Sequence, residues 1–105
     1  MPQYERTYML DLTNKGSRVS IDASGVNRMS ISTAMASLMG TGVIEIRLAR
    51  GGVLKAFSPA KVLSASVDFE ELDVDGYDEV VLIVTTADSS AQDVVVSAYA
   101  EATGF

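Results

Sequence analysis

A chain of 105 residues with a formal net charge of −6, eight basic against fourteen acidic residues, is expected to form one domain and to bury roughly 60 to 70% of its unfolded surface without staples. The absence of cysteine excludes disulfides, thiol chemistry, cysteine-ligated zinc and Fe–S clusters. The absence of histidine removes the commonest general base and the commonest transition-metal ligand, and most familiar catalytic triads go with it.

The start, MPQYERTYML, carries charge where a signal peptide has its apolar core, and no apolar run approaches the roughly 20 residues of a membrane span. A soluble chain beginning near its mature start is expected. Tyr4 to Leu12 mixes aromatic, charged and apolar residues; it is predicted to be a strand at a sheet edge, with an N-terminal arm over 1–12 as the alternative. Asn14-Lys15-Gly16-Ser17 is a turn cluster, Val19 and Ile21 share one face of a short strand, and Ser24-Gly25 breaks it. In RMSISTAMASLM, residues 28–39, a strand would place Met29, Ile31, Thr33 and Met35 on one face. A short helix would make Thr33 the N-cap, bury Met35, Leu38 and Met39, and end at Gly40. The strand is predicted for 28–34, and 35–39 stays open between the two.

After Gly40-Thr41-Gly42, Ile44, Ile46 and Leu48 face in while Glu45, Arg47 and Ala49 face out. A three-residue loop Arg50-Gly51-Gly52 would pair Leu48 with Leu54 and Ile46 with Ala56. A two-residue Gly51-Gly52 turn would set Leu48 against Lys55, so the first register is preferred. Ser58-Pro59 should interrupt pairing, and Leu63, Ala65, Val67 and Phe69 are expected to form the inward face of the next strand. Val80 to Val84, apolar on both faces, reads as a central strand that needs cover on each side; Val94, Val96, Ala98 and Ala100 alternate with polar or larger neighbours. These two strands are expected to pair as a hairpin on which the rest packs. The result is an all-β antiparallel β-sandwich, jelly-roll-like, of seven to eight short strands over 1–105.

All eight basic residues lie at or before Lys61. Residues 1–61 hold eight basic and four acidic residues, net +4, while 62–105 hold ten acidic residues and no basic one, net −10. Either the two parts interleave and neutralise each other within one molecule, or a basic edge meets the acidic edge of a neighbouring copy. The second alternative places assembly contacts at Arg47, Arg50 and Lys55 on one side and at Asp73, Asp75, Asp78 and Glu79 on the other, and such contacts should weaken with salt.

Asp68 to Glu79, DFEELDVDGYDE, holds seven of the fourteen carboxylates. Laid on an EF-hand loop, Glu71, Asp73, Asp75 and Gly76 fall on positions 1, 3, 5 and 6, but position 12 is Leu82 where a bidentate glutamate is required. A solvated acidic connection is the better account, and no metal or other cofactor is expected. No phosphate-cradling loop is present, a glycosidase needs two acids across a cleft, and the acidic total argues against a nucleic-acid surface. No enzyme activity, nucleic acid or membrane partner is expected.

The strings GTGVIEIRLARGGVLKAFS and LDVDGYDEVVLIVTTADSSAQDVVVSAYAE, within residues 40–101, resemble the small β-sandwich accessory modules of tailed-bacteriophage virions. The shared pattern is a glycine hairpin, a D-G-Y turn, a V-T-T-A strand and a final alternating V-x-A-Y strand. Phe57 stands where a tryptophan often follows the hairpin, and Asp78-Glu79 where an arginine often follows the turn. The resemblance implies a noncatalytic virion component, a capsid decoration or cement protein, that forms a homo-oligomer or binds a major capsid or other virion protein. The alternative is a carbohydrate- or receptor-binding sandwich of a tail or secreted protein. The lack of tryptophan and the scatter of Tyr4, Tyr8, Phe57, Phe69, Tyr77, Tyr99 and Phe105 along the chain weaken it.

Overall fold

The computed structural model describes residues 3–34, 36–91 and 94–101, without the side chains of 3–5 and 101. It contains β1 (Gln3–Leu10), β2 (Arg18–Asp22), β3 (Arg28–Ser32), β4 (Val43–Arg50), β5 (Val53–Leu63), β6 (Phe69–Asp73), β7 (Glu79–Thr86) and β8 (Val94–Glu101), with one 3-10 turn over Ala36–Leu38. Two four-stranded antiparallel sheets, β1-β8-β3-β6 and β2-β7-β4-β5, face each other. β1 pairs with β8, β2 with β7, β3 with β6 and β4 with β5. The chain is therefore one long hairpin closed at Gly51-Gly52 and rolled into a double sheet, the strand order of a jelly roll.

Period-2 alternation sets the core. Ile44, Ile46 and Leu48 from β4, Val80, Leu82 and Val84 from β7, Met29 and Ile31 from β3, and Val94 and Val96 from β8 are all buried between the sheets. Each such side chain stabilises by about 1.5–3 kcal/mol relative to exposure. Met29, Ile31 and Thr33 are inward as expected; Met35 lies outside the described residues, while Leu38 is exposed and Met39 buried beside the 3-10 turn. β1 is an edge strand paired along its whole length with β8.

Three expectations are corrected. β7 and β8 are not a hairpin: they lie in opposite sheets, so the chain changes sheets between Thr86 and Val94. Alternation fixes which face of a strand is buried but not which sheet carries it, and both strands point at one core from opposite sides. The β4–β5 connection is the two-residue turn, with Arg50 opposite Val53, Ala49 opposite Leu54 and Leu48 opposite Lys55. Gly51 and Gly52 have φ of 59° and 81°, the two positive values a type I′ turn demands, and two glycines adopt them without steric cost. The inward face proposed for Leu63 to Phe69 dissolves: Leu63 ends β5, Ser64 and Val67 close a turn, and β6 buries Leu72 while Phe69 stays half exposed. The acidic run 68–79 is accordingly not all connection, since its first half is this edge strand. Ser58-Pro59, a cis peptide, does interrupt pairing, which jumps from Ala56 opposite Arg47 to Lys61 opposite Ile46.

β7 is internal, flanked by β2 and β4, and Val81 and Ile83 on its outer face are buried. Their in-register neighbours are Ser20 and Arg47 for Val81, and Arg18 and Glu45 for Ile83. Arg47 forks onto Glu45 at 3.0 and 3.1 Å, so the pair lies along β4 beside them. Register thus places the long stems of Arg47, Glu45 and Arg18 beside these two side chains on this face, where they offer apolar cover.

Candidate functional site

Two surfaces stand out. The first is a cleft of about 390 Å³ on the side where β5 and β6, one edge strand from each sheet, lie together. Leu48 lies at its base, Lys55 and Phe57 come from β5, and Asp73, Asp75 and Tyr77 come from the end of β6 and the turn after it. The two-residue turn is what puts Lys55 here, because opposite Leu48 it falls on the core side of an edge strand. Its Nζ stands 5.8 Å from the centre of the Tyr77 ring. Ala56 and Ser58, in the irregular part of β5, complete the rim. Farther along, Lys61 reaches Glu70 at 3.6 Å and stands 5.5 Å from the Phe57 ring, tying the sheet edges together. Inward-pointing charges of this kind also guard edge strands against pairing with other chains.

The second surface is the outer face of the β1-β8-β3-β6 sheet. The register aligns Thr7, Ser97, Ser32 and Phe69 across all four strands, with Met9 beside Val95 next to that row. Tyr99 and Ser30 continue the surface on the other side, where the register sets Glu5 opposite Tyr99 and Glu71, paired with Arg28, opposite Ser30. Met9 is 67% exposed, Phe69 50% and Tyr99 45%. A band across a sheet thus presents hydroxyls and large apolar side chains without a charge among its described side chains.

Of the residues the charge split singled out, Lys55, Asp73 and Asp75 meet in the cleft. Asp78 is used internally: Oδ2 accepts from the Gly51 amide at 3.1 Å, its own amide donates to the Ala49 carbonyl at 3.1 Å, and Oδ1 is buried without a partner among the described residues. Arg47 is held by Glu45, whose hydrogen bonds push the guanidinium pKa above its ordinary value. Glu79 lies on β7 opposite Ala49, and Arg50 is exposed at the hairpin end. Arg28 with Glu71 and Lys61 with Glu70 join the basic part to the acidic part inside one molecule. Phe57, Ser58 and Tyr77 were not singled out as a site from sequence. Only the adjacency of the β5 and β6 edges brings them together.

No family model matches the chain, and no curated protein sequence does. Solved structures do match. The SPBc2 prophage-derived protein YomS superposes with a TM-score of 0.62 at 10% identity, covering 95% of both chains. The IMPa metallopeptidase from Pseudomonas aeruginosa matches with a TM-score of 0.62 at 21% identity, but there the chain spans only 12% of the enzyme's length. The low-affinity xylan-binding module CBM86 from Roseburia intestinalis matches at 0.57 and 17% identity, covering 92% of this chain and 78% of that one. What they share with this chain is the fold. A prophage protein and a carbohydrate-binding module are thus both built on this sandwich.

Proposed function

We propose that this chain is a noncatalytic structural component of a tailed-bacteriophage virion, a capsid decoration protein that acts in many copies and attaches through the outer face of the β1-β8-β3-β6 sheet. The observation that carries the proposal is the charge-free band from Met9 to Phe69. Protein interfaces are depleted of charge at their centre and enriched in Tyr, Phe and Met, and this band has that composition where a solvated sheet face would carry lysine and glutamate. The fold shared over 95% of both chains with a prophage-derived protein supports the phage setting, as do the hairpin and D-G-Y strings. The partners are further copies of the chain and the capsid shell beneath them.

Electrostatics would then play a smaller part than the charge split suggests, because Arg47, Lys55 and Asp78 already have partners within the molecule. Contacts made by a neutral face persist at 1 M salt, where the screening length is about 3 Å; contacts between exposed charges do not. Co-sedimentation with purified capsids tests the reading. Thr7→Lys and Met9→Lys, both exposed and outward on β1, should each weaken binding by about tenfold or more without unfolding the domain, and Arg50→Glu should leave it close to the parent. Unchanged binding by both lysine variants, or no affinity of the parent for any capsid, would count against it.

A further inference from the structure

The β5/β6 cleft lies away from the charge-free band and has its own chemistry. We propose that it binds a neutral saccharide, with one pyranose ring against Tyr77 and Phe57 and its hydroxyls donating to the carboxylates of Asp73 and Asp75. The lining selects this class by elimination. Two carboxylates against the single ammonium of Lys55 leave a formal charge of −1, which disfavours phosphates, sulfates and uronates. The Lys55 Nζ already stands over the Tyr77 ring, where it repels a cationic ligand, and among the described residues no three acidic side chains converge to hold a metal ion. A purely apolar ligand would strip water from three charges and give nothing back.

A pyranose meets both halves of the lining. Its C–H face takes the side of the Tyr77 ring over which Lys55 stands, the exposed lysine stem swinging aside to donate to a hydroxyl, while other hydroxyls donate to Asp73 and Asp75 and accept from Ser58. The volume falls in the range of small-molecule sites, about 300–1,000 Å³. Because the cleft is open and the two aspartates are exposed, few ligand atoms are desolvated, and affinity on the order of millimolar is expected.

The test is amide chemical-shift mapping on the full-length ¹⁵N-labelled chain, titrated with xylohexaose, maltohexaose and, as an anionic control, hexagalacturonate. The expected result is saturable shifts of amides in 55–58 and 73–77 with at least one neutral oligosaccharide, and binding about tenfold weaker or absent for the galacturonate. Asp75→Asn and Asp73→Asn, which keep the carbonyl acceptor and should leave the remaining spectrum in place, should each weaken binding about fivefold or more. The proposal is overturned if no neutral oligosaccharide moves these amides at tens of millimolar, if the shifts fall elsewhere, if galacturonate binds equally well, or if both asparagine variants bind like the parent. The measurement is made on the free protein, so a negative result leaves capsid attachment standing, and failure to bind capsids leaves the cleft standing.

Discussion

At the residue scale the most connected side chain at the loop end of the sandwich is Asp88. Its Oδ2 accepts from the Thr41 amide at 2.9 Å and the Thr41 hydroxyl at 3.1 Å, and its Oδ1 accepts from the Ser90 amide at 2.9 Å and the Ser90 hydroxyl at 2.7 Å. The carboxylate thereby ties the β7–β8 crossing to the turn before β4. These bonds, the Thr41 amide first, hold its pKa well below the usual carboxylate range. Asp22 is lowered in the same direction, chiefly by the Ser24 amide. A folded-state pKa below the unfolded one gives stability that is present above the unfolded value, near 3.8, and is lost as pH falls through the folded value. The melting temperature should therefore be flat from neutrality to about pH 5 and fall below about pH 4. In Asp88→Ala it should be lower at neutrality, and its acid decline shallower. Parallel pH curves for the two proteins would refute the clamp. Gly40 belongs to the same device, since its φ is +60° and a Cβ there would run into the Asp88 carboxylate. Calcium should do nothing comparable: Leu82, at the twelfth position of the EF-like spacing, is fully buried in β7, and Glu71 is engaged by Arg28. Melts with millimolar Ca²⁺ and with chelator should coincide, and a rise of several degrees would contradict this.

At the element scale β7 and the Gly51-Gly52 turn decide most of the fold. Leu82→Ala opens a cavity in a strand whose inner face packs against the opposite sheet, and should cost about 2–5 kcal/mol in denaturant unfolding. Arg47→Ala strips the flank of Val81 and should cost about 1 kcal/mol although it removes a surface charge; no loss would mean that the stem covers nothing. The centrality of β7 was legible because five consecutive apolar residues leave no face for water. The inward faces of β3 and β4 were legible from alternation alone. The sheet assignment of β8 was not, because period 2 carries no information on partner strands. The β4–β5 register departs from apolar-to-apolar pairing because two successive positive-φ glycines specify the shorter turn, and turn geometry outweighs the side-chain match. That one-residue shift moves Lys55 to the core side and Leu54 to the outside, and with it creates the cleft. Residue types could name Asp73, Asp75 and Lys55 as a charged set. They could not show that Tyr77 and Phe57 stand beside them.

At the scale of the whole molecule the pairing of β1 with β8, and of β2 with β7, brings distant parts of the chain together, and among the described strands the β4–β5 hairpin is the one pair of consecutive strands that are ladder partners. Folding must close these long loops before they repay their entropy, so refolding in the millisecond-to-second range is expected. The rolled hairpin also helps a chain with a +4 first part and a −10 second part tolerate that split: it lays β3 against β6, where Arg28 meets Glu71, and brings Lys61 of β5 to Glu70 of β6. What the fold leaves exposed is the neutral band with Met9 and Phe69, the face proposed to sit on a phage shell. Quantitative mass spectrometry of purified, salt-washed virions that carry this gene would show whether it does. The chain is expected in a copy number comparable to that of the major capsid protein; its absence from washed particles, or its presence in only a handful of copies, would overturn the proposed role.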